Sequence, residues 1–542
     1  MTQSAVASSF PVLSCAQVRN VLLTQQEIAF IDVREEDPYA QAHPLWASNF
    51  PLSRLELDAW ERIPRRETLI VVYGHDGGGE DLAPRAAQVL VQLGYSNVHV
   101  LQGGLQGWRD AGGELFRDVN VPSKSFGELV ETERHTPSLS SEEVHSLLQA
   151  QADVVVLDAR RFDEFQTMSI PGACSVPGAE LVLRARALAP DPATRVIVNC
   201  AGRTRSIIGT QSLVNAGLPN PVAALRNGTI GWTLAGLKLA HGATARAPVV
   251  GADVVALAST DARRVAHAAG VARIGSGKLQ QLEQDGQSTV YRFDVRSAEE
   301  YQAGHLPGFA HAPGGQLVQE TDHRAPVRGA LIVLTDDNGV RADMSASWLA
   351  QMGWKVYVLD PVDDGLRSET GAWVPPAPLP AQVDTVAPHD LARLLADSAP
   401  GEIAVLDFTT SANYVKRHIP GAGFALRADL ARVLEKAPQP RRYVLTCGTS
   451  QLARFAAQDL ARQSSVPVAV LEGGTLAWIE AGLALENGPT QLLSEPIDRY
   501  RRPYEGTDAP RAAMQGYLDW EFGLVAQLER DGTHGFKVLA LD

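Results

Sequence analysis

The sequence is sparing with cysteine, methionine and aromatic residues. Its 542 residues include four Cys, five Met and only 6% Phe, Trp and Tyr. Cys15, Cys174, Cys200 and Cys447 lie far apart, without the close pairs of a disulfide framework or a zinc site. A reducing compartment is therefore expected. A surplus of positive charge is lacking too: 48 Lys and Arg stand against 62 Asp and Glu, a net charge of −14. That excludes a broad nucleic-acid footprint, so any anion site must be local. No apolar run approaches the ~20 residues that span a bilayer. Met1-Thr-Gln-Ser-Ala-Val has no basic segment leading into an apolar core, so neither a signal peptide nor a membrane partner is expected, and the cytoplasm is the expected location.

What is abundant is ordinary. A hydrophobic content of 45% and a charged content of 20% describe soluble globular protein. The chain is too long for one core, and several domains are expected.

Four copies of one unit fill most of it. Each begins with an apolar strand ending in Asp: Phe30-Ile-Asp32, Val156-Leu-Asp158, Arg292-Phe-Asp294 and Val405-Leu-Asp407. An Arg follows two places later in three units (Arg34, Arg160, Arg296), and Thr409 stands there in the fourth. An Asp–Arg pair that locks the strand end is the expected role. Pro-Gly turns come next, at Ile170-Pro-Gly172, His305-Leu-Pro-Gly308 and His418-Ile-Pro-Gly421, degenerate at His43-Pro44. A second apolar strand then leads into a loop and a helix, and a third strand into a closing turn. That turn carries Gly and Trp in three units, as in Gly228-Thr-Ile-Gly-Trp232. Strands alternating with helices predict small parallel sheets with helices on both faces, with ligand sites at the carboxyl ends of the strands.

The second unit carries the chemistry. Val196-Ile-Val198 runs into Cys200, then Ala201, Gly202, Arg203, Thr204 and Arg205, with Ser206 expected to open a helix. A strand, a tight loop and a helix N-terminus surround the sulfur with backbone N–H groups. Two arginines and the helix dipole are expected to depress the Cys200 pKa and hold a thiolate. A thiolate in an amide cradle is a nucleophile fitted to receive a group.

Cys200-Ala-Gly-Arg-Thr-Arg-Ser206 resembles the active-site loop of the rhodanese family of sulfurtransferases. Val156-Leu-Asp-Ala-Arg160, the Pro-Gly turn with Ser169 in place of the usual His, and the closing Gly…Gly-Trp232 turn are similar to that family's other motifs. The resemblance implies tandem α/β rhodanese-like domains over residues 10–118, 135–245, 260–374 and 383–486, followed by a helical tail over 487–542. It implies ping-pong sulfur transfer through a Cys200 persulfide. The donor is thiosulfate or a similar small anion, the acceptor is cyanide or a thiol, and no cofactor or metal takes part. Ala201, Gly202, Arg203, Thr204, Arg205 and Ser206 are expected to bind the donor, with Arg160 and Arg186, and also Arg161 and Arg184, extending a basic mouth.

Aligned with Cys200 are Tyr73, Thr335 and Cys447. Tyr73 and Thr335 offer no thiolate, and the loops after them, Gly74–Asp81 and Asp336-Asp-Asn-Gly339, are acidic, so units one and three are expected to be silent. Cys447 is a possible second site, but Gly448-Thr-Ser-Gln-Leu452 supplies no cation. Cys174 is either a buried structural thiol or a resolving partner. Two other readings stand beside the transferase: a sulfur carrier or regulatory scaffold, and a Cys-dependent phosphatase. The latter needs Arg six places after Cys, where this chain has Ser206. Linkers are expected at 119–137, 243–261 and 375–383, and Tyr517–Leu528 reads as an amphipathic helix packed on its own domain or a neighbour. The units are expected to pair as 1–2 and 3–4. Oligomeric state is left open.

Overall fold

The second apolar strand of each unit lies at the heart of its own parallel sheet. The computed structural model describes residues 10–75, 80–362, 364–380, 382–436 and 440–541. It contains four sheets with one strand order. In unit two the strands run Ser138–Leu139, Val222–Leu225, Arg195–Asn199, Val154–Asp158 and Cys174–Ser175, all parallel. Alternate residues of the central strands enter opposite core layers, as a period of two requires. Val156 and Ile197 join a cluster with Trp232, while Leu157 and Val198 join one with Leu181 and Leu213. Both faces are covered, which explains why these strands read as unbroken apolar runs. Among the described residues no helix is long and apolar enough to cross a membrane.

The Asp–Arg expectation holds in three units. Arg160 donates from Nε and Nη2 to the two Asp158 carboxylate oxygens, at 2.9 and 2.7 Å, and from Nη2 to Met168 O at 2.6 Å. Arg34 and Arg296 repeat the pattern with Asp32 and Asp294. In unit four Thr409 gives Asp407 only its backbone N–H, at 2.9 Å, and burial raises the Asp407 pKa to about 6.

Two predicted linkers are helices. Val121–Arg134 and Ala252–Ala268 join units one to two and two to three, each presenting a buried apolar stripe. The third, around Pro375-Pro-Ala-Pro378, has no regular structure, and Leu379 is fully exposed. Part of the acidic loop of unit one, residues 76–79, lies outside the described residues.

The expected pairing of units is corrected. Unit two packs on unit three. Gly178 and Gly315 approach so closely that a Cβ on Gly315 would lie 3.2 Å from Gly178 N. Arg341 Nη1 donates to Glu180 at 2.9 Å, and Trp348 Nε1 donates to Ser212 Oγ at 2.9 Å. Unit one packs on unit four through the same part of the repeat: Arg427 makes two bonds to Glu56, at 2.5 and 2.6 Å, and Ala428 N donates to Ser53 Oγ at 3.1 Å. The arrangement is nested, 2–3 within 1–4. It is tied further where Val327–Arg328 of unit three adds an antiparallel edge to strand Ile28–Asp32 of unit one. The sequence could not distinguish this pairing from neighbour pairing, because each repeat carries the same apolar faces.

Candidate active site

Strand Arg195–Asn199 ends at Cys200, and helix Thr204–Asn215 begins four residues later, two residues earlier than expected. The closing turn clamps the loop from below. Thr229 N donates to Cys200 O at 2.9 Å, and Ile230 N to Ala201 O at 3.0 Å. Asn227 and Gly228 adopt positive φ to bring these donors in. A Cβ on Gly228 would lie 2.3 Å from Cys200 O, so only glycine fits there. Trp232 anchors the turn, its Nε1 donating to Lys238 O at 3.0 Å.

The thiol itself is buried, at 1% exposure. Its sulfur lies 3.4 Å from Ser206 Oγ, and that hydroxyl donates to Arg203 O at 2.8 Å. The expected depression of the Cys200 pKa is corrected. Burial pushes the thiol up, Arg205 and the Ser206 hydrogen bonds draw it part of the way back, and Glu521 opposes them. Nearby cations alone would lower the thiol, but desolvation outweighs them here.

The two loop arginines have different fates. Arg205 makes two bonds to Glu164, at 2.7 and 3.0 Å, and its charge remains the largest influence lowering the Cys200 pKa. Burial disfavours the Glu164 carboxylate, but Arg205, then Arg160 and Arg161, outweigh it and hold its pKa at about 2. Arg203 does not face the sulfur, contrary to expectation. It turns to helix Val121–Arg134, where it donates to Glu128 at 2.7 and 2.8 Å and also pairs with Glu131. Arg186, expected at the mouth, instead pairs with Asp261 at 2.6 Å on helix Ala252–Ala268. Arg184 bonds Glu180 at 2.7 Å. Arg160 reaches the mouth, but Asp158 and Met168 O already engage its guanidinium.

A cavity of about 410 Å³ adjoins Arg205 between unit two, unit three and the C-terminal segment. Five arginines line it, Arg160, Arg161, Arg205, Arg499 and Arg502, against four carboxylates. Arg499 and Arg502 come from the tail, and no sequence signal linked them to unit two.

The tail also roofs the loop. Helix Arg511–Phe522 lies over Gly202, where a Cβ would sit 3.1 Å from Tyr517 Cε1 and 3.4 Å from Glu521 Oε2. Tyr517 donates to Glu521 Oε1 at 2.8 Å, while Oε2 has no partner among the described residues. Burial, then the nearby Glu128 charge, raises Glu521 to about 8. Below them Lys124 bonds Asp118 at 2.8 Å and faces the rings of Tyr504, Tyr517 and Trp520. The single helix expected over 517–528 is instead two, Arg511–Phe522 and Leu524–Asp531, broken at Gly523, and their seat was not legible. Cys174 is half-buried, its thiol pushed up by burial.

The expected alignment of Tyr73 and Thr335 with Cys200 is corrected by strand register: Tyr73, Thr335 and Thr446 pair with Asp32, Asp294 and Asp407 as Asn199 pairs with Asp158, so Gly74, Asp336 and Cys447 stand at the Cys200 position. Cys447 is 4% exposed, and the backbone N–H groups of Thr449, Leu452 and Ala453 donate to its sulfur, although burial still raises its pKa. Its closing turn repeats that of unit two, with Thr475 N donating to Cys447 O at 2.8 Å.

The sequence profile described as "Rhodanese-like domain" matches residues 16–111, 140–235, 277–361 and 387–481, more than half of the chain. A curated relative, the thiosulfate sulfurtransferase of Azotobacter vinelandii, is 26% identical over 204 residues, 34% of this chain and 73% of its own. The crystal structure titled thiosulfate sulfurtransferase from Pseudomonas aeruginosa is 63% identical, covers 98% of this chain and 100% of that one, and superposes with a TM-score of 0.96.

Proposed function

The chain belongs to the rhodanese-like domain family, and on that premise we propose that it is a thiosulfate sulfurtransferase whose sulfur-carrying residue is Cys200. Thiosulfate enters by the arginine-lined cavity and meets Arg205. The Cys200 thiol releases its proton to water, its thiolate attacks the outer sulfur, the S–S bond of thiosulfate breaks, and sulfite leaves with the bonding pair. The terminal sulfur of the persulfide is held by the loop amides until cyanide or a thiol removes it. Units one and three, with Gly74 and Asp336 in place of the nucleophile, carry no sulfur.

One observation carries the reading: Arg205 is the cation that acts on Cys200, and it lies on the wall of the cavity. The names of the two relatives above support the donor. The phosphatase alternative is disfavoured, because Ser206, not arginine, occupies the sixth place and contacts the sulfur. A pure carrier would load sulfur without turnover. Incubation with thiosulfate followed by peptide mass spectrometry should place one added sulfur on the Cys200 peptide. Cyanide should then release thiocyanate over many cycles. Full activity in Cys200→Ser rejects the assignment, and loading without turnover rejects the enzyme in favour of the carrier.

A further inference from the structure

Leu452 of the Cys447 loop lines a second cavity, also about 410 Å³, between units four, one and three and the C-terminal segment. Its charge is opposite in character to that of the Cys200 mouth. Seven carboxylates line it against three arginines and one histidine. Leu452, at the position of Arg205, lines this cleft and gives its backbone N–H to the Cys447 sulfur. Thr409 and Thr410 stand where unit two has Arg160 and Arg161. Every cation of the donor mouth contributed by the repeat is thus replaced by a neutral residue.

The acids are not all engaged. Asp322 is 7% exposed, and its Oδ1 has no hydrogen-bond partner among the described residues. Asp498 Oδ1 is likewise without one, while its Oδ2 accepts from Ser411 N at 2.8 Å. A buried carboxylate oxygen left unpaired on a cavity wall is costly unless a donor arrives. Burial raises both Asp322 and Glu35 to about 7, so an arriving cation would ionise them. The two cavities adjoin: Asn120, Glu320 and Arg502 line both. A volume of this size suits a small molecule.

We infer that this cleft binds a low-molecular-weight aminothiol, whose ammonium group pairs with Asp322 and Asp498 while its sulfur exchanges with Cys447. The inference rests on the Cys200 reading only for the source of sulfur. At the first mouth the aminothiol thiolate attacks the outer sulfur of the Cys200 persulfide. A new S–S bond forms, and the Cys200 thiolate leaves with the bonding pair. At the second mouth the Cys447 thiol releases its proton to water, and its thiolate attacks the outer sulfur of the aminothiol persulfide. The Cys447–S bond forms, and the aminothiol thiolate leaves. Neither exchange needs an oxidant. Anionic donors are drawn to Arg205 and repelled from the acidic cleft, so the two stations sort their partners by charge.

The test uses the full-length Cys200→Ser protein, treated either with cysteamine persulfide or with 3-mercaptopropionate persulfide. Peptide mass spectrometry should find one added sulfur on the Cys447 peptide from cysteamine persulfide. Loading from the anionic reagent should be about tenfold slower. Asp322→Asn should slow loading from cysteamine persulfide by about tenfold, the loss of one charge-assisted contact, and should not slow the anionic reagent, whose repulsion it relieves. Asp498→Asn is the second variant, and thermal melts establish that each is folded. An unloaded Cys447, equal loading by both reagents, or folded Asp322→Asn and Asp498→Asn proteins that load as before would each overturn the inference. Loading of Cys447 by cysteamine persulfide, with no thiosulfate sulfur on Cys200 in the unsubstituted protein, would leave the cleft standing and reject the Cys200 reading instead.

Discussion

Gly228 lies directly beneath Cys200, in contact with the carbonyl oxygen that its positive φ leaves free to accept from Thr229. The nucleophile's loop is therefore positioned by a turn 28 residues downstream, as the Thr229–Ala201 hydrogen bond of that separation also records. Gly228→Ala should displace the loop, lowering the melting temperature and removing most thiosulfate turnover. Alanine at Gly236, where nothing lies within 4 Å, should cost only the strain of its positive φ. Comparable activity in both variants would argue against the clamp.

The two loop arginines should separate in kinetics and stability. Arg205→Ala should lower kcat/KM for thiosulfate by roughly tenfold to a hundredfold, the loss of a charge-assisted contact. Arg203→Ala leaves Glu128 buried without its partner and should cost about 3–5 kcal/mol in unfolding free energy. The activity of its folded fraction should change little. Denaturant melts and initial rates on the same samples check both.

Cys200 should alkylate slowly with iodoacetamide at neutral pH and continue to gain rate above pH 9, because burial raises the thiol. Glu521→Gln should move that profile to lower pH, since the Glu521 charge opposes the thiolate. The same substitution should alter stability. With its pKa raised to about 8, native Glu521 holds a proton between pH 4.5 and 8 that the unfolded chain has released. Stability therefore falls as pH rises through that window, by at most about 1.4 kcal/mol per unit, and Glu521→Gln should flatten the fall. A profile indifferent to Glu521→Gln would place its carboxyl too far from the sulfur to act.

Fragments should follow the nested arrangement. Residues 121–374, which keep the Gly178–Gly315 contact and the Arg341–Glu180 pair, should be soluble and cooperative in thermal melts. Residues 1–245 expose the face of unit two that packs on unit three, and should aggregate or melt lower. The reverse order would contradict the pairing.

The repeat, the strand ends, the Asp–Arg locks and the Cys200 loop were legible because each is a local pattern. A strand followed by Asp-x-Arg carries its partners within a few residues. The full enclosure of the Cys200 loop was not legible, because Tyr517 and Glu521, which roof its Gly202, lie more than three hundred residues away in sequence. Arg203 was misread for the same reason: its carboxylates, Glu128 and Glu131, sit on a segment that looked like a linker. Glu164 carried a faint signal, four residues beyond Arg160 in the helix after the lock. The acidic cleft before Cys447 draws on units one, three and four and the tail, and no single repeat announces it.

The antiparallel pairing of Val327–Arg328 with Ile28–Ala29 also sets an order of events during synthesis. Unit one emerges first, but one edge of its sheet is completed by residues made almost three hundred positions later. At ~5–20 residues per second, that edge stays unpaired for about 15–60 s on each nascent chain. An open strand edge of this kind invites pairing with other chains. The first unit to be made is thus among the last to be finished, and newly made protein should depend most on chaperones during that interval.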